Sequence, residues 1–221
     1  MAELVFSHLP KTGGTWVNSI LTYSKWPPTY ITHAIYKKTK TNTIMGIIRN
    51  PWAWYVSLYN YNKSRLYGTD GISSFNSNFW YVWPGCVRRL PKFEDFLRLY
   101  TSPNICERTS LNFDVIPNWG MAGTPLFETL YDEYIVQCDY VGKTESIRSD
   151  LKSILATLDG LTPELEERIN TSNPKNTART PVDYRTFYTD ETAELVFNTH
   201  QRIISSHNYT FWSHKYSTTN S

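Results

Sequence analysis

The sequence predicts an α/β fold, three α/β/α layers around a mostly parallel central sheet, and three observations carry that expectation. Short apolar runs at residues 4–6 and 43–48 lack the polar alternation of a half-exposed sheet, as strands covered on both faces do. Each run is followed, after a turn, by apolar residues at helical spacing: Trp16, Val17, Ile20 and Leu21 after the first, Trp52, Val56 and Tyr59 after the second. A third strand, expected at residues 134–138, precedes the cleanest stripe in the chain, Ile147, Leu151, Ile154, Leu155 and Leu158. Strands alternating with helices imply parallel crossovers, and 221 residues suit a single domain spanning 1–221.

The composition excludes some classes of function. Twenty-two basic against 20 acidic residues leave a net charge of +2, too little for nucleic-acid binding by the net field, so any anion must be met locally. Cys86, Cys106 and Cys138 are an odd number without metal-ligand spacing, which favours a reducing compartment, although a Cys86–Cys106 bridge stays open. No apolar run is long enough to cross a bilayer and no leader pattern is present, so the expectation is a cytoplasmic protein. A trimmed lumenal catalytic domain is the alternative, with sequons at Asn62, Asn170 and Asn208.

The first strand meets the turn Pro10-Lys11-Thr12-Gly13-Gly14-Thr15-Trp16. A helix starting at Gly14 or Thr15 leaves its first amides without intrahelical partners. Two glycines let the backbone approach a ligand, and successive N–H groups backed by a helix dipole favour phosphate or sulfate. Lys11 adds a full charge. A conventional phosphate loop places its lysine after the last glycine; here the lysine comes first.

The second strand ends in Arg49-Asn50-Pro51, where Asn50 suits a helix cap and Pro51 the first helical position. Ser57 lies about two turns in, roughly 9 Å along the axis. An arginine from the strand end and a hydroxyl from the helix suit one phosphate approached from two sides.

These two motifs, in this order, resemble the 5′-phosphosulfate and 3′-phosphate motifs of sulfotransferases that use 3′-phosphoadenosine 5′-phosphosulfate (PAPS). The resemblance implies a P-loop NTPase-like sulfotransferase fold, with PAPS as co-substrate, its product 3′-phosphoadenosine 5′-phosphate (PAP), and no metal. It implies donor-binding roles for Lys11, Thr12, Gly13, Gly14, Thr15, Trp16, Arg49 and Ser57, with Lys11 also stabilising the departing phosphate. Trp16 is open between stacking on adenine and packing in the core. Thr32-His33 lies between the motifs, where the cytosolic branch carries a Thr-His whose imidazole is the base; His8, Glu94 and Asp95 are alternatives. Arg179 falls where that branch places an arginine on the 3′-phosphate, though Thr180-Pro181 follows instead of the branch's Lys-Gly.

Residues 62–130 are turn-rich and aromatic, with one evident helix, Phe93–Tyr100, and are expected to bind the acceptor or form a lid. The acceptor is expected to be a hydroxyl of a glycan, small alcohol or phenol. The compact Lys-Thr-Gly-Gly-Thr form and the Tyr188-Thr189-Asp190-Glu191 helix start resemble the carbohydrate-type branch, which favours a glycan. Towards the C-terminus, Thr144 is expected to cap the helix ending at Gly160, Thr162-Pro163 to open another, and Thr189 to cap the last. A nucleotide kinase, which would need magnesium, and a non-catalytic nucleotide- or glycan-binding module remain the alternatives.

Overall fold

The computed structural model describes residues 3–27, 35–67, 92–103, 124–173 and 183–211. In chain order its elements are β1 (Glu3–Ser7), α1 (Gly14–Leu21), β2 (Asn42–Ile48), α2 (Pro51–Tyr67), α3 (Phe93–Tyr100) and α4 (Leu126–Tyr134). There follow β3 (Tyr140–Lys143), α5 (Ile147–Thr157), α6 (Pro163–Thr171), α7 (Asp190–Thr199) and α8 (Gln201–Ser206), with 3-10 turns at Thr144–Ser146 and Tyr184–Phe187. They assemble as two compact units, Met1–Asn50 with Leu130–Pro181, and Pro51–Thr129 with Val182–Ser221.

The first unit is α/β, as expected. Its sheet runs β1-β2-β3, all parallel, with Val5 beside Ile44, Phe6 beside Met45 and Ile47 beside Gly142. Strand side chains alternate between faces. Leu4, Phe6, Met45 and Ile47 join one buried cluster with Trp16, Val17, Ile20 and Leu21 of α1, Leu151, Ile154 and Leu155 of α5, and Leu165 and Ile169 of α6. On the opposite face Ser7 donates to the Tyr134 carbonyl at 2.6 Å, and Ile135 and Cys138 approach Gly46 so closely that a Cβ there would lie within 2.9 Å of each. Both faces of β2 are therefore covered, and its residues 44–48 are buried. Each fully buried aliphatic side chain contributes about 1.5–3 kcal/mol, which makes this sheet the rigid base of the unit.

Three expectations need correction. Residues 134–138 are not a strand: Tyr134 ends α4, the amides of Ile135 and Val136 turn back onto the Tyr131 carbonyl, and Val136 is 58% exposed. A short apolar run fits helix or strand equally until its partners are known. Pairing with β2 instead begins at Asp139, whose amide donates to the Ile44 carbonyl at 2.7 Å while its carboxylate accepts the Ile44 amide at 2.8 Å. Thr144 does not cap α5; it opens the 3-10 turn, and its hydroxyl is used elsewhere. Helix α5 also stops at Thr157, short of Gly160. Asp159 takes a left-handed conformation (φ 53°), and the Gly160 amide closes onto the Leu155 carbonyl at 2.8 Å.

The second unit is helical among its described residues, with an aromatic core of Trp54, Tyr55 and Phe127. Thr189 caps α7 as expected, in a reciprocal box with Thr192. The chain breaks helix at His200 (φ −121°) and resumes as α8, an element not foreseen. Helix α4 was also missed, although Leu126, Phe127, Leu130, Tyr131 and Tyr134 repeat with helical spacing.

A polar chain crosses this unit, from the fully buried Tyr55 and His200 through Glu128 to the exposed Arg202. The Tyr55 hydroxyl meets His200 Nε2 at 2.8 Å, His200 Nδ1 meets Glu128 Oε1 at 3.0 Å, and Arg202 donates to Glu128 Oε2 at 2.6 Å. Burial pushes the Tyr55 hydroxyl well above its usual range, helped by the Glu128 charge. Burial also lowers His200, a pull the Glu128 hydrogen bond only partly offsets. At Glu128 burial opposes the charge, but hydrogen bonds from His200 and Arg202 outweigh it and hold the carboxyl below the usual range.

Among the described residues no helix is long and apolar enough to cross a membrane. Of the three sequons, the Asn62 side chain is buried, whereas Asn170 and Asn208 are exposed.

Candidate anion-binding site

In open parallel sheets, ligands bind beyond the carboxyl ends of the strands. In the first unit those ends lead into three segments: the 8–13 loop after β1, Arg49 after β2, and Thr144–Ser146 after β3. The structure ties them together. Arg49 Nη1 donates to the Lys11 carbonyl at 3.1 Å, and the Thr144 hydroxyl lies 3.0 Å from both the Thr12 and the Ile48 carbonyl. The Asn50 amide donates to Glu145 Oε1 at 2.9 Å.

The loop itself has the geometry its residues foretell. Gly13 takes φ 84° and ψ 9° and caps α1, and the amides of Trp16 and Val17 close onto its carbonyl at 2.9 and 3.3 Å. No hydrogen bond among the described residues takes the N–H groups of Gly13, Gly14 or Thr15. These are the amides that a helix start offers to an anion. Gly14 permits no side chain: a Cβ would lie 1.9 Å from Cδ2 of His8, whose buried ring is wedged under the loop and stacks on Phe6 at 5.6 Å.

Lys11 carries the most informative detail. Its φ is 67°, a left-handed conformation that costs a non-glycine residue about 1–2 kcal/mol. A turn that needed only this geometry would be better served by glycine. A lysine nonetheless stands there, with its backbone held in a sparsely populated region.

The remaining expected site residues fall as follows. Thr12 is fully buried with its hydroxyl on the Leu9 carbonyl at 2.6 Å, and Thr15 is exposed at the first turn of α1. Trp16 is 1% exposed; its indole N–H donates to Ser172 Oγ at 3.0 Å and the Arg148 guanidinium lies 5.3 Å from the ring centre. The ring is packed in the cluster that holds Leu151, Leu155 and Ile169. Ser57 sits half-buried on α2, in the second unit. His33 and Arg179 lie outside the described residues, as do Cys86 and Cys106. Among the alternative bases, His8 is the buried wedge just described, and Glu94 and Asp95 are exposed on α3, with Glu94 bound to Arg98 at 3.0 Å.

Sequence reasoning missed Thr144 and Glu145, which it treated as a helix start. A threonine directly after a central parallel sheet's third strand was the available signal, because strand ends are where such sheets gather their loops.

The first unit thus defines a class: an α/β unit with a Lys-Thr-Gly-Gly-Thr loop before its first helix, joined to a second basic motif at the neighbouring strand end. No family model matches the chain, and no curated protein matches it by sequence. Among solved structures, the mouse sulfotransferase SULT7A1 complexed with PAP is similar over 94% of this chain and 88% of that one, with 14% identity and a TM-score of 0.49.

Proposed function

We propose that residues 1–221 act as one PAPS-dependent sulfotransferase domain, moving the sulfuryl group to an acceptor hydroxyl. The observation that carries this reading is the meeting of Arg49 with the carbonyl of a left-handed Lys11, which joins two separate basic motifs at one end of the sheet. A net charge of +2 leaves the donor's several negative charges to be met by such local groups.

In the proposed reaction the acceptor oxygen bonds to sulfur in line while the bond from sulfur to the bridging oxygen breaks. Lys11 and the amides of Gly13, Gly14 and Thr15 neutralise the phosphosulfate and the departing 5′-phosphate. Such transfers are mostly positioning plus charge neutralisation. Arg49, with Ser57 and Arg179, is assigned to the 3′-phosphate. Thr12 holds the loop through its bond to Leu9. His33 takes the acceptor proton, as an imidazole titrating near neutrality suits. The acceptor is assigned to residues 62–130, with a glycan preferred on the loop's carbohydrate-type form.

The test is a thermal-shift titration followed by transfer of labelled sulfate from PAPS to a mixed panel of glycans, alcohols and phenols. PAP should stabilise the protein without magnesium, and one acceptor class should become labelled. Stronger stabilisation by ATP with magnesium than by PAP would replace the reading with a kinase; PAP binding with no labelled product would leave a binding module.

A further inference from the structure

The three segments at the head of the sheet are not held together by the sheet. Strand pairing ends at Ser7–Gly46 and Ile48–Lys143, and beyond those pairs the loop, Arg49 and the 3-10 turn are separate pieces of chain. One side chain bridges them. The Thr144 hydroxyl reaches the Thr12 carbonyl and the Ile48 carbonyl at 3.0 Å each, so a single proton is shared between the residue after Lys11 and the residue before Arg49. The next residue, Glu145, accepts the amide of the residue after Arg49 at 2.9 Å.

We propose that Thr144 is a positioning residue of the anion site: its hydroxyl, shared between the Thr12 and Ile48 carbonyls, sets the spacing of Lys11 and Arg49. The proposal rests on the sulfotransferase reading for its ligand, though not for its geometry. Peptide planarity makes the coupling direct. The Thr12 carbonyl shares its peptide plane with the Gly13 amide, and the Ile48 carbonyl shares its plane with the Arg49 amide. Turning either carbonyl turns a donor or the stem of a cation. Lys11 is held left-handed against an intrinsic cost, so its loop is the part of the unit most ready to relax once a tether is lost. Burial of the sheet residues far exceeds the net worth of one hydroxyl bond, about 0.5–1.5 kcal/mol, so loss of the tether disturbs the site without unfolding the unit.

The experiment compares the wild type with Thr144→Val, which keeps the shape and loses the donor, and Thr144→Ser, which keeps the donor. Two readouts are taken on the full chain: PAP affinity by calorimetry, and the amide resonances of Gly13, Gly14, Thr15 and Asn50 without ligand. Thr144→Val should weaken PAP binding by about threefold to tenfold, shift those four resonances and leave the unliganded melting curve nearly in place, and Thr144→Ser should restore both readouts. Unchanged amides and unchanged affinity in Thr144→Val would overturn the proposal, as would a serine variant no better than valine. A wild type that ignores PAP while its four amides still respond to Thr144→Val would overturn the sulfotransferase reading and leave the brace standing.

Discussion

The two units treat charge in opposite ways. In the second, Tyr55, His200 and Glu128 are buried in one chain of hydrogen bonds in which each group has its partner. In the first, a lysine is held in a disfavoured conformation, a glycine sits where only glycine fits, and a helix start leaves amides turned to no described partner. Satisfied polar groups in a packed interior stabilise and specify a fold. Strained ones persist where the surrounding structure holds them in place, and they cluster at ligand sites. The contrast is what the proposed function expects, a structural part for the network and ligand binding for the loop, although the network, with its Tyr-His-Glu order, looks more like catalytic machinery at first sight.

The largest expected effect breaks the network. His200→Ala takes one hydrogen-bond partner from the Glu128 carboxylate, which keeps Arg202, and one from the buried Tyr55 hydroxyl. A buried polar group that loses its partner costs about 1–3 kcal/mol, and here two do. Chemical denaturation should show that loss, while PAP affinity of the folded fraction stays within about twofold, well inside one tenfold step of 1.4 kcal/mol. An affinity loss with little loss of stability would make His200 a functional residue and dissolve the contrast.

Next comes Lys11→Gly, which should do the reverse. The left-handed strain it relieves and the flexibility it adds to the unfolded chain are each about 1 kcal/mol and oppose one another. Stability should therefore barely move. A lost charged contact is worth about 1.5–3 kcal/mol, which predicts PAP binding weakened by about tenfold to a hundredfold. A clear fall in melting temperature with binding intact would show that the lysine serves the fold alone.

Gly14→Ala tests the loop from beneath. Its Cβ would overlap the His8 ring, and overpacking of this kind costs about 1–3 kcal/mol. The double variant Gly14→Ala/His8→Ala should regain part of that loss in a denaturation curve. No recovery would mean that the ring is not what forbids the side chain.

How much of this was legible follows from what each feature depends on. The loop, both of its flanking elements and the Arg49–Pro51 junction were readable because local rules set them: glycine at positive φ, an apolar run, proline at a helix start. The third strand was misplaced because Tyr134 to Cys138 and Tyr140 to Lys143 are both short and apolar enough, and only Asp139 pairing with Ile44 decides between them. Trp16 beside the glycines suggested a ligand, whereas its burial depends on Leu151, Leu155 and Ile169, far along the chain. The network was invisible for the same reason: Tyr55, Glu128 and His200 are 73 and 72 residues apart in turn and share no local signature.

The smallest effect is one of pH, and its sign distinguishes the units. Burial lowers the folded-state pKa of His200 below its ordinary value of 6.5, so between the two values the unfolded chain binds more protons than the folded one. Stability contributed by the neutral imidazole is present above pH 6.5 and is lost as pH falls through that window. Glu128, also lowered in the fold, adds loss in the same direction below its ordinary 4.5. The slope from one such group is at most about 1.4 kcal/mol per pH unit. Glu133, which burial raises to about 7, adds stability on acidification over the same window. Urea unfolding of Glu133→Gln at pH 7.5, 6.5, 5.5 and 4.5 is therefore the measurement that isolates the network, and it should show stability flat over the first step and declining over the next two. In Tyr55→Phe, which removes the hydroxyl next to Nε2 but leaves the ring buried beside Glu128, the decline should remain. A decline that vanished with the tyrosine hydroxyl would place the titrating proton on the Tyr55 side of the imidazole. Stability rising as the solution is acidified would mean that the folded state favours the imidazolium, and the network would then be a charged site rather than a satisfied one.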